Sequence, residues 1–302
     1  MFNRFRLNLF LVGGLLLSFV NARGQDSLQV MEGKNTCSLG SQSSFSIQIP
    51  QVKQKEIMSG WRKYVKQGTK KSAEEDGGEI ILSQAVIPAL GIDTFTVYAK
   101  TEATDRGVLF TSFYHWNDSL FISSSIDVSK TEKISGFIRT FAIQEYKNAV
   151  EDELKTNQKM LKTLEGNLED LISENDNSAK KINEYKRNIE QLKSDIKTTD
   201  KELDLKSEEV IRQKLYVESY TGTPEAKAVE EKKFKDLSKQ KNKLIDKKED
   251  MYKEIDDKEK KIKDKERLIE KNTNEIIPAK KDQITAQKVA VQQVEVKLSV
   301  IK

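Results

Sequence analysis

The sequence predicts an α+β protein: a small antiparallel-sheet head of order β-α-β-β-β(-β)-α, followed by a long antiparallel α-helical coiled-coil hairpin. Three observations predict it. Apolar residues recur every seven positions through the second half of the chain. Short alternating runs joined by tight turns fill residues 79–124. One strong helix-break signal lies between Tyr220 and Pro224. The expected boundaries are a signal peptide over 1–22, a flexible linker over 23–44, the head over 45–146 and the hairpin over 147–302.

Arg4 and Arg6 precede a mostly apolar run from Leu7 to Val20. Val20-Asn21-Ala22 then offers the residues a signal peptidase reads, with Ala22-Arg23-Gly24 as a second candidate. This is the pattern of a secretory signal peptide. The rival reading is a membrane anchor, but spanning a bilayer takes about 20 apolar residues. This run is shorter and holds Asn8, Gly13 and Gly14. The expectation is an exported chain, periplasmic or extracellular, with no transmembrane segment after cleavage. Gln25 to Ser44 carries Gly33, Gly40 and a Ser-rich run without an apolar period, the composition of a linker. Cys37, the only cysteine, lies in it, so no internal disulfide forms, and an exposed thiol is expected.

In the head, Phe45, Ile47 and Ile49 alternate as a half-buried strand ended by Pro50. Val52, Ile57, Trp61, Tyr64 and Val65 lie at helical spacing, which predicts an amphipathic helix over 51–66 ended by Gly68. Lys70 to Gly78 reads as a polar loop. Strands are then expected over 79–87, 94–101, 108–116 and 120–124, with turns at Asp105-Arg106-Gly107 and Asn117-Asp118-Ser119. Ser129-Lys130-Thr131-Glu132 has capping-box spacing. Ile134, Phe137, Ile138, Phe141 and Tyr146 follow as a wide apolar stripe suited to covering a sheet.

Past residue 147 the stripe narrows. Leu161, Leu168, Ile182, Ile189, Ile196, Leu203, Val210 and Val217 share one heptad phase, and Leu164, Leu171, Tyr185, Leu192 and Tyr220 a second. Two phases three and four residues apart form a seam that needs a partner helix. Phe234, Leu237, Leu244, Met251, Ile255, Ile262, Ile269 and Ile276 resume the pattern after the break, so the partner is the chain's own second arm; a second copy is the competing arrangement, and a homo-oligomer stays open. At the break Gly222 is expected in a left-handed conformation, Thr223 as a cap and Pro224 at the first helical position. Asn175 and Ser178 interrupt the seam without changing its phase, which suits a polar layer that fixes register better than a loop. After Pro278 the apolar positions shift by one residue, to Ile284, Val291, Val294, Leu298 and Ile301, which predicts a bend or break there.

Lys+Arg number 52 and Asp+Glu 48. The charges alternate along the arms as on a solvated helical surface, too balanced for general nucleic-acid binding. His115 is the only histidine, and no nucleophile elbow, Walker loop, dinucleotide loop or metalloprotease helix occurs. No catalytic residue, cofactor or metal ligand is singled out. Two places are candidates for binding a protein partner. One is the hairpin tip, Tyr220, Gly222, Thr223 and Pro224, whose plainer reading is a turn. The other is the aromatic strand, Phe110, Tyr114 and Trp116, exposed if helices cover only one sheet face; its plainer reading is core packing against Trp61 and the 134–141 stripe. The layout resembles exported coiled-coil adaptors of bacterial envelopes, in which a hairpin projects from a small base; the likeness is one of architecture and carries over no functional residue. The expected function is a non-enzymatic, exported spacer or adaptor that acts through protein–protein contacts, envelope-associated partners among them, in a bacterial-type cell envelope or outside the cell; the alternative is a ligand-binding or enzymatic head held or dimerised by the coiled coil.

Overall fold

The computed structural model describes residues 28–116 and 120–302. The expected signal peptide and the Asn117-Asp118-Ser119 turn fall outside the described residues. The described residues form an antiparallel sheet of seven strands plus long helices, an α+β protein. In order they are β1 (Met31–Cys37), β2 (Gly40–Pro50), α1 (Gln54–Val65), β3 (Glu74–Asp76), β4 (Glu79–Val86), β5 (Thr94–Thr104), β6 (Gly107–Trp116), β7 (Leu120–Phe121), α2 (Val128–Glu218), α3 (Pro224–Lys271) and α4 (Ile277–Val300). The described residues fall into two compact units, one of the chain up to Thr156 with Val291–Lys302, the other of Asn157–Ala290.

In the first unit the strand order is β1-β2-β6-β5-β4-β3, with β7 pairing β6. Period-2 alternation sends Phe45, Ile47 and Ile49 of β2, Ile80 and Leu82 of β4, Phe95 and Val97 of β5, and Phe110 and Tyr114 of β6 to one face. That face packs on Ile57, Trp61 and Val65 of α1 and on Ile134, Phe137, Ile138 and Phe141 of α2. Trp61 is the hub: its ring centroid lies 4.6 Å from Phe110 and 5.0 Å from Phe141. Gly107 opens β6 at a φ of +140°, and a Cβ there would strike the Ile49 carbonyl oxygen. Only glycine combines that dihedral with so close a backbone approach. Further along, Val150 of α2 packs with Val294 of α4 and Ile301.

The linker expected over 23–44 is instead strand from Met31 onward. β1 and β2 form a hairpin in full register from Met31↔Ser46 to Cys37↔Gly40. Its tip lies over the second face of the sheet. Cys37 is buried with Tyr98 and Phe113, the Ser38 amide donates to Glu79 Oε2 at 3.0 Å, and Lys100 Nζ donates to the Thr36 carbonyl. A strand that lies among polar groups can be serine-rich. The buried Ser46 hydroxyl meets Thr111 Oγ1 at 3.0 Å, and Ser44 Oγ accepts from Asn35 at 2.9 Å. Cys37 is therefore not the exposed thiol expected; burial, the largest influence, pushes its pKa up. The loop expected over 70–78 likewise contains β3, an exposed acidic edge strand paired to β4.

α2 starts one cap earlier than expected. The Lys130 amide donates to Asp127 Oδ1 at 2.9 Å, so Asp127 caps the helix and Ser129 sits inside its first turn. A carboxylate two residues upstream wins because it also pairs with Lys130 Nζ at 3.0 Å.

In the second unit, Ile182, Ile189 and Ile196 of α2 share one apolar cluster with Met251, Ile255 and Ile262 of α3, flanked by Tyr185, Leu192 and Ile269. Polar pairs between the helices descend in register: Glu165–Lys288, Lys186–Glu266, Asp200–Lys248 and Gln213–Glu230. α2 runs unbroken through the Asn175–Ser178 interruption. Asn272, almost fully buried, donates to Asn175 Oδ1 at 2.9 Å and to Glu174 at 3.1 Å, while Asn175 donates to Thr273 at 3.3 Å. The bend or break expected near Pro278 takes the form of a π-turn, Asn272–Ile276, closed by the Ile277 amide on the Asn272 carbonyl. A π-turn accommodates one residue more than an α-turn. That extra residue is the one-residue phase shift of the apolar pattern, and it lies just ahead of Pro278, whose missing N–H and ring would disturb an α-turn.

Candidate functional site

The tip residues come together as one turn. Helix α2 ends with the Ser219 amide on the Leu215 carbonyl at 3.1 Å. Thr223 caps α3 by accepting from the Ala226 amide, and Pro224 takes the first helical position, where no amide is needed. Gly222 does not adopt the left-handed conformation expected of it. Its role is room: a Cβ would lie 2.5 Å from the Tyr220 ring, which is packed edge-on to Tyr216 at 5.7 Å. The turn presents a half-buried tyrosine and polar residues.

The aromatic strand does not form an exposed patch. Phe110 and Tyr114 are fully buried in the core, and burial raises the Tyr114 phenol far above its ordinary range. Period-2 alternation aims both at the helices, so neither is exposed. Trp116 is half-buried at the strand's end, with Lys130 Nζ 4.3 Å from its ring centroid. His115 points to the opposite face and stacks on Phe121 at 4.8 Å. Among the described residues, no group of three His, Cys, Asp or Glu is placed to hold a metal ion.

A polar recess between α1 and α2 was not anticipated. Lys55, Ser59, Gly60, Lys63, Tyr64, Glu145 and Asn148 line it. Glu145 lies so close to α1 that a Cβ on Gly60 would be 2.6 Å from its Oε1. Burial chiefly, then the charge of Glu56, raises the Glu145 pKa, and Lys63 partly offsets this. The sequence did hold a signal. Gly60 sits inside a helix, where glycine costs about 1 kcal/mol relative to alanine, so its presence marks a close approach. Nothing in the sequence identified Glu145 as the approaching group.

In the second unit a shallow groove runs beside the polar layer, lined by Asp170, Ser173, Glu174, Asn177, Lys181, Lys265 and Lys280 among others. Its mixed charges suit solvated helix surface. No helix among the described residues is long and apolar enough to cross a membrane. Comparison with known protein families, with curated proteins and with solved structures found no match to this chain.

Proposed function

We propose that residues 147–302 form an antiparallel coiled-coil hairpin and that the protein is an exported, non-enzymatic spacer or adaptor. It acts through protein–protein contacts in a bacterial-type cell envelope or outside the cell. The observation that carries this reading is the descending register of pairs between α2 and the helices that follow it, from Glu165–Lys288 of α4 to Gln213–Glu230 of α3, ending in a capped turn. Two helices paired in this way over residues 157–218 set the tip about 90 Å from residue 157, at about 1.5 Å per residue. A stiff pair of that length with a surface of alternating charge is suited to separating contacts rather than to enclosing a substrate.

Deleting Lys201–Lys241 shortens the hairpin and removes its tip. The expected result, read by crosslinking and co-purification from intact cells, is loss of partner capture with the sheet domain still folded by circular dichroism. Capture that is unchanged overturns the spacer reading. A ligand-binding head is the second reading, and what favours it is the recess beside Glu145. Glu145→Gln that alters small-molecule binding while leaving partner capture intact would support it.

A further inference from the structure

Near the tip, α2 carries a second apolar stripe on the side away from α3. Leu205, Ile211 and Leu215 are all more than half exposed. Leu205, Glu208, Arg212 and Leu215 follow three-four-three spacing, which places them on one helix face. Over the same stretch the half-buried positions are Leu203, Lys206, Ser207, Glu209, Val210, Gln213 and Val217, centred on the side where Gln213 meets Glu230 of α3. At about 100° per residue the two faces are roughly opposite. Leucines on a solvated outer face contribute nothing to pairing with α3, so they call for a second surface.

The geometry points to a second copy of this chain as the occupant, docked α2 against α2 in antiparallel fashion about a two-fold axis level with Val210. A two-fold interface must be self-complementary, and this face is. The operation sets Leu205 against Leu215 of the second copy and Glu208 against Arg212 of the second copy. Each contact occurs twice, giving the order Leu–Leu, Glu–Arg, Arg–Glu, Leu–Leu along the seam, with Ile211 beside the axis. Among the described residues, Glu208 and Arg212 are exposed and neither is engaged in an ion pair. A parallel pairing would set Glu208 on Glu208 and Arg212 on Arg212, so charge alone selects the antiparallel arrangement. The stretch from Lys201 to Ser219 is about 27 Å long, which is short for an interface of standard size, so association belongs in the micromolar class. Two hairpins joined in this way make a four-helix tip.

This inference rests on the hairpin reading, because α3 must occupy the other face of α2. Sedimentation of the mature chain at rising micromolar concentration is expected to give a monomer–dimer equilibrium. Glu208→Arg and Arg212→Glu, each alone, should weaken it by about tenfold or more, and the double variant should restore it to within about threefold. In a Cys37→Ser background, an equimolar mixture of Leu205→Cys and Leu215→Cys chains should form the disulfide on mild oxidation; Leu205→Cys alone should not. A chain that stays monomeric, charge variants without effect, or self-crosslinking of Leu205→Cys each overturns the proposal. Spin labels at residues 189 and 255, diluted with unlabelled protein, separate the two ideas. A short distance together with a monomer overturns the dimer and leaves the hairpin standing; a long distance overturns both.

Discussion

Removing one residue from the π-turn should detach the end of the chain. The turn Asn272–Ile276 carries the extra residue that brings the apolar positions after Pro278 back into phase. Deleting Asn274 forces an α-turn and rotates everything beyond it by about 100°. Ile284 and Val294, now 7% and 6% exposed, and Ile301 at 8%, would leave their packing sites. Burial of a Val or Ile side chain is worth about 1.5–3 kcal/mol, so losing two of the three costs about 3–6 kcal/mol. That is a large fraction of the 5–15 kcal/mol typical of a whole domain. Hydrogen exchange followed by mass spectrometry reads the effect directly: peptides within 280–300 should lose protection in the deletion variant. Inserting one alanine between Ala279 and Lys280 in the same variant restores the phase and should restore protection. Wild-type protection in the single deletion would refute the phase argument.

Gly107→Ala should destabilise the sheet by about 1–3 kcal/mol, since the new Cβ strikes the Ile49 carbonyl at a dihedral that alanine resists; denaturant unfolding measures it. Glu145→Gln should stabilise the first unit at neutral pH. The folded-state pKa of Glu145 is raised, so its ionisation costs more in the folded protein than in the unfolded one. That penalty is absent well below the ordinary value of 4.5, grows as pH rises past it, and is complete once pH exceeds the folded value. The variant's advantage in thermal melts should therefore vanish on acidification; an advantage unchanged below pH of about 4 would refute the assignment.

The long helices and the sheet strands from Glu79 to Trp116 were legible because each rests on a local period: seven for a helix seam, two for a half-buried strand. The first hairpin was missed because β1 and β2 draw their order from partners far along the chain. Ser46 meets Thr111, Ser38 meets Glu79 and Cys37 meets Tyr98, and no window of local sequence contains those pairs. The cap of α2 was misplaced for a smaller reason: Ser129 and Asp127 both satisfy capping chemistry, and the ion pair with Lys130 decides between them. Gly222 is expected for its left-handed freedom, whereas it sits close beside the Tyr220 ring, and steric room beside an aromatic ring is not visible in a turn motif. The aromatic strand shows the same limit. Alternation put Phe110 and Tyr114 on one face, but only the packing of Trp61 and Phe141 over that face made it interior.

Taken by itself, the sequence determined where the chain is helical, where it turns at Thr223-Pro224, and that its pattern slips by one residue near Pro278, because backbone periodicity and proline stereochemistry act within a few residues. The tertiary structure alone decided that the slip is absorbed as a π-turn at a buried Asn272 bonded to Asn175, that serine-rich strands shield the second sheet face, and that Glu145 is held against Gly60. Those outcomes depend on which distant groups satisfy one another's hydrogen bonds and fill one another's space, and that is settled only when the chain has folded.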